Sequence, residues 1–541
     1  MSHVAQRYAV PLRANRTAGH YTVAMNDSHP APTSSPDDVR LHPPRALSLF
    51  DAIAISVGII IGSAIYESSP RVAENAAGWL VGKLAPRPVQ AGGSSPESIS
   101  HGDRVQSDAA PRTAAVAPAT HDSAARLAAY SAGLTLAVWV AGGLLALVGA
   151  LCVAELATTW PQAGGPYVYL SETLGRGCGF AYAWVEFWIV RPGNLGAVAF
   201  VLAKYALAWE PAASSPGTLH PTPVACLAIV GLSLVNAAGL RAGKRAQNVL
   251  TAAKVAGLAG VFVVSLFSSA PASPVTPTLP AEGSLALALI LVMFAYGGWA
   301  DISLVAAEVR QPQRNLLRAL VGGTVLVALI YVCLNAAFLR SLGVTGMIDS
   351  RAVAADILEL RMGALGRQAI SLLVVVSCLG ALNGMLLSGA RVPYALGRHH
   401  PTFQWLGQWH LARGVPLRSL VGQTAVTLGL IAAFGRDARS FERLVVFTAP
   451  FYWGFIALVG AALLVRRWKP SRPERCFRVP LYPLTPLIFM ASSAWMAWAA
   501  CRYAWQNWSV AGWWTVAVLV SGLAVSAWDR RHRAAAGSPT S

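Results

Sequence analysis

Charged side chains make up only 12% of these 541 residues, and acids are the scarcer kind, 24 Asp and Glu against 42 Lys and Arg. With 55% hydrophobic residues and a mean hydropathy of +0.50, the chain has too little polar surface to coat a soluble globule of its size. Cysteine is sparse as well. Six of the seven, Cys152, Cys178, Cys226, Cys333, Cys378 and Cys501, lie in or beside hydrophobic runs, and Cys476 lies in a basic loop. No CxxC occurs and no His or Cys pair stands at metal-ligand spacing. Neither a metal nor another cofactor is implied, and the cysteines read as buried structural residues. No Ser-His-Asp or His-Glu pattern stands at catalytic spacing, which argues against an enzyme. Residues 1–46 lack an apolar core of signal-peptide length and read as an uncleaved, disordered cytoplasmic tail.

What the chain has in quantity is long apolar runs. A helix rising ~1.5 Å per residue crosses ~30 Å of hydrocarbon in roughly 20 residues. Twelve blocks of about that length recur, near 47–76, 130–156, 178–208, 223–240, 248–267, 284–309, 319–339, 364–396, 417–434, 444–465, 481–502 and 510–528. The reading is an all-α membrane protein of twelve transmembrane helices, embedded in lipid. Between the first two blocks, 77–129 is low in complexity, built largely from Pro, Ser, Gly and Ala, and is expected to be a disordered insertion on the outer face. A tolerated loop expansion explains it, because long surface insertions cost little stability.

A net charge of +18 raises nucleic acid as a partner, but its placement points to topology instead. Basic residues gather at Arg241, Lys244 and Arg245, at Arg310, Arg314 and Arg318, at Arg391 and Arg398, from Arg466 to Arg478, and at Arg530, Arg531 and Arg533. The stretches 210–221 and 269–283 contain no Lys or Arg. This positive-inside bias places both termini, including the tail 529–541, in the cytoplasm of a cell of inner-membrane type, with no nucleic-acid partner. Arg351, Arg361 and Arg367, and Arg436, Arg439 and Arg443, run against the bias.

In hydrocarbon every backbone N–H and C=O needs an internal partner, so an interrupted spanning helix persists only where it lines a cavity or holds something. The first block reads Gly58-Ile-Ile-Ile-Gly62-Ser63-Ala64-Ile65-Tyr66, followed by Pro70, and the sixth reads Phe294-Ala295-Tyr296-Gly297-Gly298-Trp299. Unwinding at the first would free N–H groups at a positive helix end, which suit a carboxylate. Freed carbonyls at the second would suit an ammonium group. Each glycine run alone is also what close helix packing uses. Paired in corresponding segments of two halves, they point to an inverted-repeat transporter with its site at the midplane.

At these residues the chain resembles the amino acid–polyamine–organocation superfamily, and within it the L-type amino acid transporters. Gly62-Ser63-Ala64-Ile65 is similar to the superfamily's Gly-Ser-Gly-Ile, and Phe294 to Trp299 to the L-type Phe-Ala-Tyr-Gly-Gly-Trp. Ala154-Glu155-Leu156-Ala157-Thr158-Thr159, Trp184-Val185-Glu186-Phe187-Trp188-Ile189-Val190-Arg191-Pro192, Glu308-Val309-Arg310 and Leu382-Asn383-Gly384 resemble further family stretches. The resemblance implies two inverted five-helix repeats, 47–268 without the insertion and 284–465, with helices 1 and 6 broken and two extra C-terminal helices at 481–528. It implies amino acid transport by alternating access, for neutral or otherwise L-type-like substrates.

Carried over, Gly62, Ser63 and Ala64 would hold the substrate carboxylate, and carbonyls near Ile60, Phe294, Ala295 and Gly297 its amino group. Phe294 matches the aromatic that closes over the substrate. Ala64 departs from the family's Gly, and its methyl narrows the approach to the backbone. Tyr296, Trp299 and Asn383 are further pocket or gate candidates. Lys254 matches a family lysine whose ammonium lies where related transporters hold sodium, which implies sodium-independent exchange or proton-linked uptake; a lysine snorkelling to the interface is the plainer alternative. Glu155, Glu308 and Arg191, near helix ends, read as members of gate or loop ion pairs, Asp301 as a partner of unwound backbone, and Asp51 as a helix N-terminal carboxylate. The tryptophans of the last two segments, Trp495, Trp498, Trp505, Trp508, Trp513 and Trp514, read as an interfacial belt or as a dimer or lipid face.

A polyamine or amine carrier of the same superfamily is disfavoured by the lack of an acidic cluster facing helices 1 and 6, and a transporter-derived sensor is the remaining alternative. Relatives of vertebrate type are disulfide-linked to a single-pass subunit through the loop after helix 3. Here 208–222 has no cysteine, so no covalent heavy-chain partner is expected.

Overall fold

The computed structural model describes residues 43–84, 121–208, 220–268, 279–280, 282–350, 352–435, 440–468, 477–506 and 510–535. The tail 1–42, most of the expected insertion (85–120), Cys476 and most of the cysteine-free loop lie outside them. In chain order the helices are α1 (Leu49–Ile60), α2 (Ala64–Leu84), α3 (His121–Thr159), α4 (Pro166–Leu174), α5 (Arg176–Val185), α6 (Arg191–Leu207), α7 (Pro221–Ala237), α8 (Leu240–Phe267) and α9 (Leu285–Ala295). There follow α10 (Pro312–Asp349), α11 (Val353–Met362), α12 (Ala364–Gly389), α13 (Arg391–His399), α14 (Leu417–Phe434), α15 (Ser440–Trp468), α16 (Leu484–Gln506) and α17 (Val510–Ala535). A π-helical turn, Glu186–Val190, joins α5 to α6, and a 3-10 helix, Asp301–Glu308, follows α9. The described residues contain no β-strand. Among the described residues eight helices are long and apolar enough to cross a membrane, and the bent pair α1–α2 makes up to nine.

Ser48 sets where the first helix begins. Its Oγ accepts from the Asp51 N–H at 3.2 Å while Asp51 Oδ2 accepts from the Ser48 N–H at 2.9 Å, a capping box that satisfies two donors of the first turn. Asp51 is thus the N-terminal carboxylate expected of it, and more: it also accepts from Lys244 Nζ at 3.0 Å and Asn248 Nδ2 at 2.8 Å, tying α1 to α8. The helix stops after Ile60, and α2 leaves at an angle of 48°.

The sixth segment is interrupted as well. α9 ends at Ala295, a turn occupies 296–300, and the chain tightens into 3-10 geometry. The two interruptions are fastened to each other below their breaks: the Leu47 N–H donates to the Glu308 carbonyl and the Arg310 N–H to the Leu47 carbonyl, both at 2.9 Å. They also touch at the breaks, where Gly298 (φ +92°) packs so close to Ile59 that a Cβ would lie 2.5 Å from Ile59 Cγ2. Around this pair, α10 packs along α3 and α1, α12 against α6, α8 and α1, and α15 against α16 and α6.

Some expected boundaries differ. α2 runs to Leu84 and α3 starts at His121, because apolar and small residues continue the helical pattern beyond 76 and before 130. The expected helix-end ion pairs of Glu155 and Glu308 form: Arg467 Nε and Nη2 grip the Glu155 carboxylate at 2.8 and 2.6 Å, and Arg391 grips Glu308 at 2.8 Å through both nitrogens. Of the cysteines, Cys152 and Cys378 are buried as expected, but Cys333 and Cys501 are exposed. They sit on the outside of a bundle whose solvent is hydrocarbon, where a weakly polar thiol costs little. Trp498, Trp513 and Trp514 are likewise exposed, while Trp495 is partly buried and the side chains of Trp505 and Trp508 lie outside the described set.

Candidate functional site

Both interruptions open onto one cavity of about 130 Å³. The α1–α2 break contributes Ile60, Gly62, Ser63 and Ala64, and the α9 turn contributes Phe294, Ala295 and Gly297, so all seven expected substrate-binding residues border the same space. Tyr182, Glu186, Arg191 and Asn194 close it from the α5–α6 side, Met385 from α12, and Tyr452 and Phe455 from α15.

At the first break the Gly62 N–H turns back to the Ile60 carbonyl at 2.9 Å, and α2 resumes with Tyr66 N–H to Ser63 carbonyl at 3.1 Å. Helix geometry leaves the N–H groups of its opening residues without intrahelical acceptors, at the positive end of the helix dipole. At the second break the Gly297 N–H donates to the Phe294 carbonyl at 3.0 Å. Tyr331, on α10, stands between the two: its Oη is 3.0 Å from the Ile60 carbonyl oxygen and 3.4 Å from that of Ala295. Both carbonyls were expected to be open to an amino group, and a hydroxyl already reaches them.

Lys254 does not snorkel. It is fully buried, and its ammonium donates to the carbonyls of Gly58 and Ile61 at 2.8 Å and of Ser377 at 2.9 Å. Gly58 lies in the last turn of α1 and Ile61 caps it, at the negative end of that helix, so three protons meet three acceptors. Gly380 makes the room, since a Cβ there would lie 2.8 Å from Lys254 Nζ.

Arg191 forms the kind of ion pair expected of it, at the start of α6, where the π-turn makes the helical stretch Arg176–Leu207 continuous, and it borders the cavity. Its Nε donates to Glu186 Oε1 at 2.8 Å, and its Nη1 and Nη2 reach Asp301 Oδ2 and Oδ1 at 2.6 and 3.3 Å. Asp301 is therefore engaged by a guanidinium and not by unwound backbone. Two acids also face the interrupted helices, contrary to the expected lack of an acidic cluster there. The spacing concealed this group: Glu186 and Arg191 are five residues apart, out of register for an α-helical pair. The π-turn between them, a wider i→i+5 geometry, brings them together.

Three candidates do not border the cavity. Tyr296 packs its ring against Trp139 and Tyr331, with its hydroxyl 3.2 Å from the Trp139 carbonyl. Trp299 is buried against Gly149 and Phe489. Asn383 joins α12 to α7 and α8, accepting from Asn236 Nδ2 at 2.8 Å and donating to the Gly243 carbonyl and Gln247 Oε1 at 3.0 and 2.9 Å. Sequence reasoning missed Tyr331, whose one signal was a phenol inside the apolar run 325–334 of α10.

Comparison with known proteins agrees with this architecture. The family described as amino acid permease matches residues 114–527. The mouse b(0,+)-type amino acid transporter 1 is 29% identical over 358 residues, covering 65% of this chain and 72% of its own. The human large neutral amino acids transporter small subunit 2 is 29% identical over 373 residues, 67% and 69% of the two chains. The serine/threonine exchanger SteT of Bacillus subtilis (strain 168) is 28% identical over 378 residues, 68% and 83%. These proteins are transporters and not enzymes, and this chain, an integral membrane protein, belongs to the amino acid permease family of the amino acid–polyamine–organocation superfamily.

Proposed function

We propose that this permease exchanges amino acids across the membrane by alternating access without sodium, with proton-linked uptake as the variant mechanism. If the three shorter apolar helices, Pro221–Ala237, Leu285–Ala295 and Trp513–Asp529, also span, they would make twelve with the eight long helices and the bent pair. They would be arranged as two inverted five-helix repeats plus two, with both termini cytoplasmic. The substrate carboxylate faces the N–H groups of Gly62, Ser63 and Ala64 at the positive end of α2. A Cβ on Gly62 would meet nothing nearer than Ala381 Cβ at 3.8 Å, so hydrogen at this position serves approach to the backbone and not packing. The amino group faces the carbonyls of the 294–297 turn, with Phe294 closing over it.

The observation that carries the reading is the Lys254 ammonium, a fixed cation held by three carbonyls where the α1 break meets α12. It makes a mobile sodium ion unnecessary there. One relative, SteT of Bacillus subtilis, is a serine/threonine exchanger, which favours exchange. The cysteine-free loop 208–222 supports the absence of a covalently linked subunit, which a larger complex on a non-reducing gel would refute.

The test is counterflow in proteoliposomes preloaded with unlabelled amino acids, with labelled leucine, alanine, arginine or glutamate outside. Uptake that requires internal amino acid and ignores sodium is the expected result. Saturable binding without flux for any label would favour a sensor instead.

A further inference from the structure

At the cavity wall two carboxylates share one guanidinium. Arg191 reaches Glu186 Oε1 through Nε at 2.8 Å and Nη2 at 2.7 Å, and Asp301 Oδ2 through Nη1 at 2.6 Å. With all three ionised, the group carries one surplus negative charge. Both contacts to Glu186 fall on Oε1; among the described residues Oε2 has no donor, although Glu186 is only 4% exposed and borders the cavity. An unpaired carboxylate oxygen in the interior is costly. A ligand entering the cavity can meet it. Among the described residues lining the cavity Arg191 is the only basic one, so none of them is left to balance the surplus. Asn194 and Tyr182 add polar atoms to the same wall.

Resting on the amino acid transport reading above, we infer that Glu186 is a specificity residue whose Oε2 receives a nitrogen cation at the end of the substrate's side chain. The cavity then takes amino acids of the lysine, ornithine and arginine type and rejects acidic ones. The geometry of the chain fits. Asp301 follows Gly297 by four residues across a turn, and a turn keeps residues three apart within roughly 7 Å, a separation comparable with the reach of a four-carbon side chain from an α-amino group anchored at the break. The lysine-type cation completes a balanced arrangement of two acids and two bases. A neutral side chain leaves the surplus charge unmet, and an acidic one adds to it.

The full chain in proteoliposomes loaded with unlabelled lysine and alanine tests this by sodium-free counterflow of labelled lysine and labelled alanine, read as their uptake ratio. Wild type is expected to take up lysine. Glu186→Gln leaves one carboxylate for one guanidinium and should lower the lysine-to-alanine ratio about tenfold or more. Asp301→Asn removes the same surplus charge and should shift the ratio in the same direction. Because the readout is a ratio within one preparation, a partial folding defect does not mimic it. Alanine flux without lysine flux in the wild type overturns the inference and leaves the transport reading standing. No flux of either label overturns the transport reading and the inference with it. Alanine uptake driven by an imposed inward proton gradient, lost in Glu186→Gln while the lysine ratio is unchanged, would assign the surplus charge to a proton and overturn the inference as well.

Discussion

Tyr331 Oη lies 3.0 Å from the carbonyl oxygen of Ile60 and, on its other side, 3.4 Å from that of Ala295. One hydroxyl on α10 therefore bridges the ends of the two helices that stop in mid-bundle, at carbonyls that a helix terminus leaves without intrahelical donors. A movement of either break relative to the other changes this bond first.

Replacing Tyr331 by Phe tests that bridge. The ring keeps its contacts with Trp139 and Tyr296, at centroid distances of 5.6 and 5.2 Å. Only the hydroxyl is lost, worth about 1 kcal/mol. The expected outcome is a melting temperature in detergent close to that of the wild type and an exchange KM raised about three- to tenfold. A large loss of stability with unchanged KM would reduce Tyr331 to a packing residue.

Lys254→Met would strand three buried carbonyls, those of Gly58, Ile61 and Ser377, at roughly 1–3 kcal/mol each. Gly380→Ala leaves the charge in place but sets a methyl 2.8 Å from Nζ, so the ammonium must leave its three acceptors. Both variants should lose counterflow by more than about tenfold, a barrier change of ~1.4 kcal/mol. Full flux in Gly380→Ala would mean that the position of the ammonium is not what matters.

Two glycines at the breaks should respond in opposite ways. Gly298 has φ +92° and no space, with Ile59 Cγ2 only 2.5 Å from a new Cβ, so Gly298→Ala combines about 1–3 kcal/mol of backbone strain with a clash that pushes the breaks apart. Lower yield and a lower melting temperature should follow. Gly62→Ala meets only Ala381 Cβ at 3.8 Å and should fold normally, while its methyl stands before the N–H groups assigned to the carboxylate. Substrate affinity, measured by equilibrium binding, should fall in Gly62→Ala without loss of melting temperature.

The Arg391–Glu308 pair is a stability device away from the cavity. Both residues are buried, 2% and 0% exposed, and joined by two bonds of 2.8 Å. Glu308→Gln leaves the guanidinium short of a counter-charge and should destabilise by about 3–5 kcal/mol. Thermal unfolding in detergent should show that loss, while the lysine-to-alanine uptake ratio of the folded fraction stays constant.

The membrane class, the approximate positions of the spans and both interruptions follow from the sequence alone, whereas the seven residues around the breaks were named by resemblance to the family. Each rests on a local property. Apolar length reports solvent, and a glycine run in mid-span reports where backbone bonding can lapse. The burial of Lys254 was also legible, because an ammonium in an apolar segment must find oxygen, although its three acceptors were not. What the tertiary structure decided is everything that depends on two distant segments meeting. Tyr331 reaches Ile60 across 271 positions, and Arg191 reaches Asp301 across 110. No periodicity encodes either contact. The same holds for Tyr296, Trp299 and Asn383, which share stretches with cavity residues but turn their side chains into helix packing. Glu186 shows the limit most clearly. Its pairing with Arg191 depends on a π-turn that widens the helix by one residue, and the regular i, i+3 and i+4 spacing by which a helix is read gives no sign of it.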